Sequence, residues 1–448
     1  NKNLGENKMK YLLEKDVFYR KNSADDSLIV KTDTKDVYVF KGNICEILDF
    51  YKRKHSIDEL IEFLSKKYTF EITNIFKNQI IAIIKDLTEK KILKKENILT
   101  ENKSDLESLY QFKYLPQKQL FSAQFELTYN CNEKCRHCYC VQTDKEELTN
   151  EEIKKVLDDL YDMGAFEITF TGGDLFTRKN VFEIIEYAYK KNFLINIFTN
   201  GLALTDSDII KLKDLHIKSI HFSIYSAISE KHDYFTQVKG SFHKTIDVIK
   251  KCVLLGIPVN IKTCILNYNE TEIDNIMKLA KDLGTTIQLS LAVSSKNNGD
   301  SSPTQYRLEN IDKYTSIMQT VNQNMVIHCS NDFNLVRECD GEICGAGKRS
   351  ININPYGDVY PCNALLIKCG NLKECNIKYI WENSKELKRI RKYKINQVKG
   401  CENCCDKEYC NFCPGSALTE TGDPLKKYSE ACNITEAKKK LKNKEGGL

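Results

Sequence analysis

The sequence predicts an α/β protein built on a partial (β/α)6 barrel, with a small module before the barrel and a cysteine-rich extension after it. Three observations carry this. Six strand-like runs alternate with helical stretches through the middle of the chain, a hairpin-rich segment followed by three amphipathic helices precedes them, and twelve of the nineteen cysteines lie beyond residue 328. At 448 residues the chain is too long for one ordinary core. The expected organisation is a module over 1–96, a linker over 97–118, the barrel over 119–325 and the extension over 326–448.

In the first module, short runs such as Val17-Phe18-Tyr19 and Val37-Tyr38-Val39-Phe40 are separated by turn-rich stretches, as in a small sheet of hairpins. Ile44, Ile47, Leu48 and Tyr51 then recur at helical spacing. Ser56 and Glu59 form a capping box ahead of Leu60, Ile61 and Leu64, and a third helix carries Phe76, Ile80, Ile83, Ile84 and Leu87 on one stripe. Strands followed by three helices make a winged-helix-like domain. Residues 97–118 are polar and charged with one proline, Pro116, and read as a linker.

The barrel strands are expected at 123–128, 167–171, 194–198, 220–225, 259–265 and 286–292, with helices near 151–162, 178–191, 205–213, 242–255 and 269–283. In such barrels the chemistry collects at the C-terminal ends of the strands. No run of about eighteen apolar residues is present and the start lacks a signal-peptide core, so a cytoplasmic protein with no membrane contact is expected. Nineteen cysteines in a reducing compartment favour metal ligation over disulfides. The net charge of +5 is small beside 67 basic and 62 acidic residues, which argues against a nucleic-acid partner. The run from Lys438 to Lys444 reads as a solvated tail.

Beyond the first barrel strand comes Cys131-Asn132-Glu133-Lys134-Cys135-Arg136-His137-Cys138-Tyr139. Three thiolates at this spacing can hold a four-iron cube by three corners and leave the fourth iron open; a zinc knuckle is the alternative for the spacing alone. The segment closely resembles the signature of radical S-adenosylmethionine (SAM) enzymes. The resemblance implies that the open iron chelates the amino and carboxylate groups of SAM, and that reductive cleavage yields a 5′-deoxyadenosyl radical.

The rest of the pocket follows from the same resemblance. Thr171-Gly172-Gly173-Asp174 ends the second strand where the family usually carries Gly-Gly-Glu against the methionine amino group; Asp174 is one methylene shorter. Asn200, in Thr199-Asn200-Gly201, and Ser223 occupy places where similar enzymes present small polar groups to the cofactor. His137 and Tyr139 flank the last triplet cysteine, where the family lays this turn against the adenine. The stretch 232–240 has no arginine to meet the SAM carboxylate. Cys140, Cys252 and Cys264 read as structural thiols. No general acid or base is assigned.

Past the barrel, Cys344 is followed by twelve residues, Gly357, four residues and Cys362; Cys401-x2-Cys404, five residues, Cys410-x2-Cys413 and, eighteen residues on, Cys432 complete the series. Paired Cys-x2-Cys units also describe a zinc ribbon. The series resembles the SPASM extension of peptide-modifying radical enzymes, which houses two auxiliary [4Fe–4S] clusters. Carried over, that pattern assigns Cys344, Cys362 and Cys413, with Cys339 as fourth ligand, to the first, and Cys401, Cys404, Cys410 and Cys432 to the second. Cys329, Cys369, Cys375 and Cys405 are surplus.

The whole arrangement resembles sactipeptide and ranthipeptide synthases. It implies SAM and three [4Fe–4S] clusters as cofactors, a cysteine-containing precursor peptide held through its leader by the winged-helix-like domain, and an external electron donor of flavodoxin or ferredoxin type. The implied reaction joins a cysteine sulfur to a carbon of the peptide as a thioether. The alternatives are carbon–carbon crosslinking or sulfatase-type maturation and, from another class, a metal-binding nucleic-acid regulator.

Overall fold

The computed structural model describes residues 9–14, 16–21, 26–31, 36–42, 44–95, 120–215, 217–291, 293–323, 327–329 and 341–445. The chain divides into two compact units, Asn1–Pro116 and Gln117–Leu448. The expected linker, 97–118, lies wholly outside the described residues.

The first unit holds two small antiparallel sheets. In one, β1 (Lys10–Leu13) pairs with β5 (His55–Ser56) and β6 (Leu93–Lys95); in the other, β3 (Asp26–Lys31) lies between β2 (Val17–Lys21) and β4 (Val37–Lys41). Three helices follow the hairpins, α1 (Ile44–Phe50), α2 (Ile57–Tyr68) and α3 (Asn74–Glu89). The capping box forms as expected: Ser56 N–H donates to Glu59 Oε2 at 2.6 Å and Glu59 N–H to Ser56 Oγ at 3.2 Å. The helical stripes meet in a core of Leu48, Tyr51, Leu60, Ile84 and Leu87.

In the second unit a ten-stranded sheet runs in the order β13-β12-β11-β10-β9-β8-β7-β14-β15-β16. The six expected strands are β7 (Ser122–Thr128), β8 (Glu167–Gly172), β9 (Leu194–Thr199), β10 (Ser219–Ser223), β11 (Val259–Cys264) and β12 (Thr286–Ser290), all parallel. A seventh, β13 (Ile327–Cys329), extends the row beside β12. On the other side β14 (Ser350–Ile353) pairs in parallel with β7, and β15 (Asp358–Tyr360) and β16 (Gly370–Asn371) continue antiparallel. Among the described residues the end strands β13 and β16 do not join, so the sheet is open.

The helices between the strands are α4 (Asn150–Asp162), α5 (Val181–Lys190), α6 (Asp206–Asp214), α7 (Ser229–Thr236), α8 (Ser241–Leu254) and α9 (Ile273–Asp282). Phe125, Phe170, Ile197, Phe222, Ile261 and Leu289 pack on one sheet face with Leu157, Ile184, Ile209, Ile249 and Ile276 of those helices. Strand side chains alternate, so Glu126, Asn196, His221, Asn260 and Gln288 fall on the opposite face, where all five are buried. A buried polar face on one side of the sheet gives a site hydrogen-bonding groups to work with. The helix α7 lies inside a stretch that the sequence pattern left as loop. Its only strong apolar anchor, Phe235, is too little periodicity to announce a helix.

After β12 come α10 (Ile311–Gln323), α11 (Ile377–Asn383), α12 (Lys385–Ile390), α13 (Pro414–Thr421) and α14 (Ser429–Glu445). The lysine run expected to be a tail is part of α14, which packs along α10. Ile434, Ala437 and Leu441 form its buried stripe, and Lys438 itself is buried. No helix among the described residues is long and apolar enough to cross a membrane.

Candidate functional site

The triplet sits in the loop leaving β7. Its sulfurs face one another closely enough that ionisation of Cys131 or Cys138 would be felt at Cys135. Burial, together with the negative groups Asp174 and Glu133, pushes the Cys131 thiol up to about 12. Glu133 shapes the loop: its N–H lies 3.4 Å from Cys131 Sγ, and its buried carboxylate, raised to about 7 by burial, accepts from the Cys135 thiol at 3.1 Å. His137 packs edge-on to Tyr225 (4.8 Å) and tilted against Phe235 (5.1 Å), and burial lowers its pKa to about 4. Cys140 is not a solitary structural thiol. It lies against Cys138, which its hydrogen bond lowers to about 7, and its Sγ is 3.5 Å from Gly172 O.

Tyr139 reaches back toward the first barrel strand. Its hydroxyl donates to Glu126 Oε1 at 2.7 Å, while Glu126 Oε2 accepts from Tyr129 at 2.9 Å and from Asn352 Nδ2, on β14, at 3.3 Å. The triplet loop, the first barrel strand and the extension are thus tied through one buried carboxyl, which burial raises above the usual carboxylate range. Neither Glu126 nor Glu133 is marked in the sequence. The one signal available was a charged residue inside a strand that has no other charge.

The two glycines after β8 serve a close approach, and the neighbour is the chain itself. A Cβ on Gly172 would lie 2.1 Å from Thr128 O and one on Gly173 would lie 2.3 Å from Asn130 O. The Asp174 side chain is fully buried and accepts from Thr199 Oγ1 at 2.6 Å and Asn200 N–H at 2.8 Å, both on Oδ2, and from Phe176 N–H at 3.0 Å on Oδ1. The carboxylate thus closes a bracket between β8 and β9. Asn200 continues the bracket: Nδ2 donates to Asn132 Oδ1 at 2.6 Å and lies 3.7 Å from Cys131 Sγ. Ser223 ends β10, next to Tyr225.

The extension gathers its cysteines into two separate groups. Cys362 is half-buried and feels Cys413 and Cys344, and desolvation pushes its thiol up to about 12. Cys401 and Cys432 feel Cys404 and Cys410. Cys339 lies outside the described residues, as does the Cys329 side chain. Cys369 is buried and donates to Ile367 O at 3.2 Å, Cys375 is 3.9 Å from Asn371 O, and Cys405 points at Asp406 Oδ1 at 3.6 Å.

Each group therefore brings three or four thiols together, and buried thiols at raised pKa need a cationic centre to ionise. Among the described residues no three His, Cys, Asp or Glu side chains converge as the ligands of a single ion must. An iron–sulfur cube spreads its protein ligands over separate corners, and the all-sulfur donor sets fit that group.

Two family models match the chain: the Radical SAM superfamily over residues 125–280 and SPASM, an iron-sulfur cluster-binding domain, over 344–405. The chain is 29% identical over 328 residues to an AdoMet-dependent heme synthase of Methanosarcina barkeri, covering 67% of this chain and 93% of the relative. It is 32% identical over 256 residues to the antilisterial bacteriocin subtilosin biosynthesis protein AlbA of Bacillus subtilis, 54% of each. Its fold is like that of Streptococcus suis SuiB bound to precursor peptide SuiA, with a TM-score of 0.62 at 13% identity over 94% of this chain and 99% of the other. The triplet lies in the first matched segment and the extension's series begins in the second, so the chain carries a Radical SAM domain and a SPASM iron–sulfur cluster-binding domain.

Proposed function

We propose that the chain is a maturase of a ribosomally synthesised, cysteine-containing precursor peptide and that it closes thioether bonds between cysteine sulfur and a carbon of the same peptide. The observation that carries this is that Tyr139 and Asn363 line one small cavity, of about 30 Å³, with Ser294, Asn297, Ala364 and Thr419. Tyr139 follows Cys138 of the triplet, and Asn363 follows Cys362 of the first group in the extension. The radical loop and a thiol group of the extension therefore meet at one place, the two ends that a sulfur-to-carbon bond requires.

In this reading Cys131, Cys135 and Cys138 hold the cluster that binds SAM. Cys344, Cys362 and Cys413, with Cys339, hold the first auxiliary cluster, and Cys401, Cys404, Cys410 and Cys432 the second. When bound, SAM and its cluster supply a 5′-deoxyadenosyl radical that takes a hydrogen atom from the peptide carbon. The chain's own residues arrange this. Asn200, Ser223, His137 and the Gly172-Gly173 backbone line the cofactor pocket, with Asp174 bracing it from behind. Glu126 fixes the Tyr139 wall of the cavity. Tyr225, Phe235 and Tyr306 pack beneath the triplet and keep water from it. Ser294 and Asn297 offer hydrogen bonds to a peptide backbone.

In the first unit, β2 and β4 each pair on one side only among the described residues, so either edge can accept a leader peptide as an added strand. The similarity to a bacteriocin biosynthesis protein supports a peptide substrate. The heme synthase relative matches 67% of the chain, whereas the likeness to SuiB extends over 94%. An external carrier of flavodoxin or ferredoxin type supplies the electron.

The test incubates the anaerobically reconstituted full chain with SAM, dithionite and a precursor peptide encoded beside it. Loss of two hydrogens per bridge with a cysteine no longer open to alkylation is the expected product. The same mass loss with that thiol still alkylatable identifies a carbon–carbon link instead, and absence of 5′-deoxyadenosine overturns the reading altogether.

A further inference from the structure

We infer that the lysine-lined groove beside the Cys401, Cys404, Cys410 and Cys432 group is the docking surface for an acidic one-electron carrier protein of flavodoxin or ferredoxin type. The inference rests on the proposed cluster at that group and names where its electron enters. The groove is lined by Lys399, Lys426, Lys427, Asp423, Gly422 and Tyr428, three lysines against one aspartate. All three lysines are exposed. Lys399 is paired with Asp423 at 2.7 Å, whereas no ion pair engages Lys426 or Lys427 among the described residues.

These lysines stand on fixed backbone. Lys399 N–H donates to Leu425 O at 2.7 Å and Lys427 N–H to Lys399 O at 3.0 Å, a short parallel bridge that holds the two segments side by side. Gly400 and Gly422, at φ +80° and +75°, turn the chain at either end of the groove. The bridge brings the groove against the cysteines: Lys427 lies near enough to Cys401 and Cys432 for both thiols to feel its charge. Cys404 and Cys405 are themselves exposed. On the inner side, Tyr428 is buried and its hydroxyl accepts from the Cys413 N–H at 3.3 Å, so the groove backs directly onto the first auxiliary group.

Electron transfer weakens steeply with distance, so a carrier must dock where a metal centre nears the surface. Unpaired lysines around such a point steer an acidic partner and set its orientation. The triplet loop offers less. Arg136 there is stacked on Tyr234 at 4.0 Å with its Nε bonded to Tyr234 O, and Lys296, on the loop after β12, is paired with Asp300 at 2.7 Å. In the step itself the reduced carrier loses one electron and the cluster held by this group gains it; no bond is made or broken.

The test measures binding of a purified, strongly acidic flavodoxin to the anaerobically reconstituted full chain. The comparison is with the double variant Lys426→Glu/Lys427→Glu and with single variants Lys134→Glu, on the triplet loop, and Lys250→Glu, on α8. The double variant is expected to weaken binding about tenfold, with Lys134→Glu and Lys250→Glu near wild type. Raising the salt from about 50 to about 200 mM should weaken the wild-type complex and change the double variant little. Formation of 5′-deoxyadenosine driven by reduced flavodoxin should fall with the binding, while the dithionite-driven rate stays within about twofold.

Wild-type binding by the double variant, or a larger loss from Lys134→Glu, overturns the docking site while leaving the enzyme reading intact. Failure of the wild type to cleave SAM with dithionite overturns that reading instead. Wild-type protein that captures duplex DNA or phosphatidylserine vesicles but no flavodoxin also overturns the inference.

Discussion

Replacing Asp174 separates a carboxylate that braces the fold from one that touches SAM. In Asp174→Ala three donors lose their acceptor: Thr199 Oγ1, Asn200 N–H and Phe176 N–H. The site is fully buried, so water cannot take over. The Thr199 hydroxyl can rotate, but the two backbone N–H groups cannot, and each buried donor left unpaired costs about 1–3 kcal/mol. Asp174→Ala should therefore lose about 2–6 kcal/mol. Asp174→Asn keeps one oxygen and strands one donor, for about 1–3 kcal/mol. Asp174→Glu, the residue usual in the resembling enzymes, forces a methylene into a filled site and should also cost about 1–3 kcal/mol.

Because Asn200 carries the bracket on to Asn132 and Cys131, iron per chain should fall in the same order as stability. Urea unfolding followed by circular dichroism, iron analysis and equilibrium dialysis with SAM give the three readouts. An Asp174→Asn protein with wild-type stability and iron but no SAM binding would refute the bracket and restore the carboxylate to the cofactor.

Three other outcomes are expected. Burial lowers His232 from 6.5 to about 4, so below pH 6.5 the unfolded chain binds the proton more readily than the folded one. Its contribution is then full above pH 6.5 and declines as pH falls toward 4; between about pH 7.5 and 5.5, denaturant titrations should show His232→Asn losing about 1.3 kcal/mol less than the wild type. Cys401→Ala and Cys362→Ala should each remove about four irons per chain, whereas Cys369→Ala, a core thiol, should lower the melting temperature and leave iron unchanged. Gly173→Ala drives a Cβ to 2.3 Å from Asn130 O and should abolish iron at the triplet, measured as loss of the SAM-perturbed electron paramagnetic resonance signal.

The parallel strands were legible because their apolar positions alternate with polar ones while the intervening helices keep a 3.6-residue stripe; the observed ends of β7 to β12 differ from the expected ones by two residues or fewer. The cysteine groups were legible because thiol spacing is a local signal, and the structure gathers Cys344 with Cys362 and Cys413, and Cys401 with Cys404, Cys410 and Cys432. What sequence could not supply was direction. Asp174 shows a carboxylate but not that it points inward, and Glu126 shows a charge in a strand but not the two tyrosines from other segments that satisfy it. The lysines from 438 to 444 hid the Ile434, Ala437 and Leu441 stripe because charge dominated the composition there.

The pairing of β14 with β7 has a consequence for how the molecule comes into being. The strand that launches the triplet loop gets one neighbour, β8, early in synthesis, and the other only after more than three quarters of this sequence has emerged. Until then its outer row of amide and carbonyl groups stays bare and open to stray association. Metal loading at the loop is thus coupled to completion of the C-terminal region, and a shortened version ending before Ser350 would be expected to clump rather than to mature.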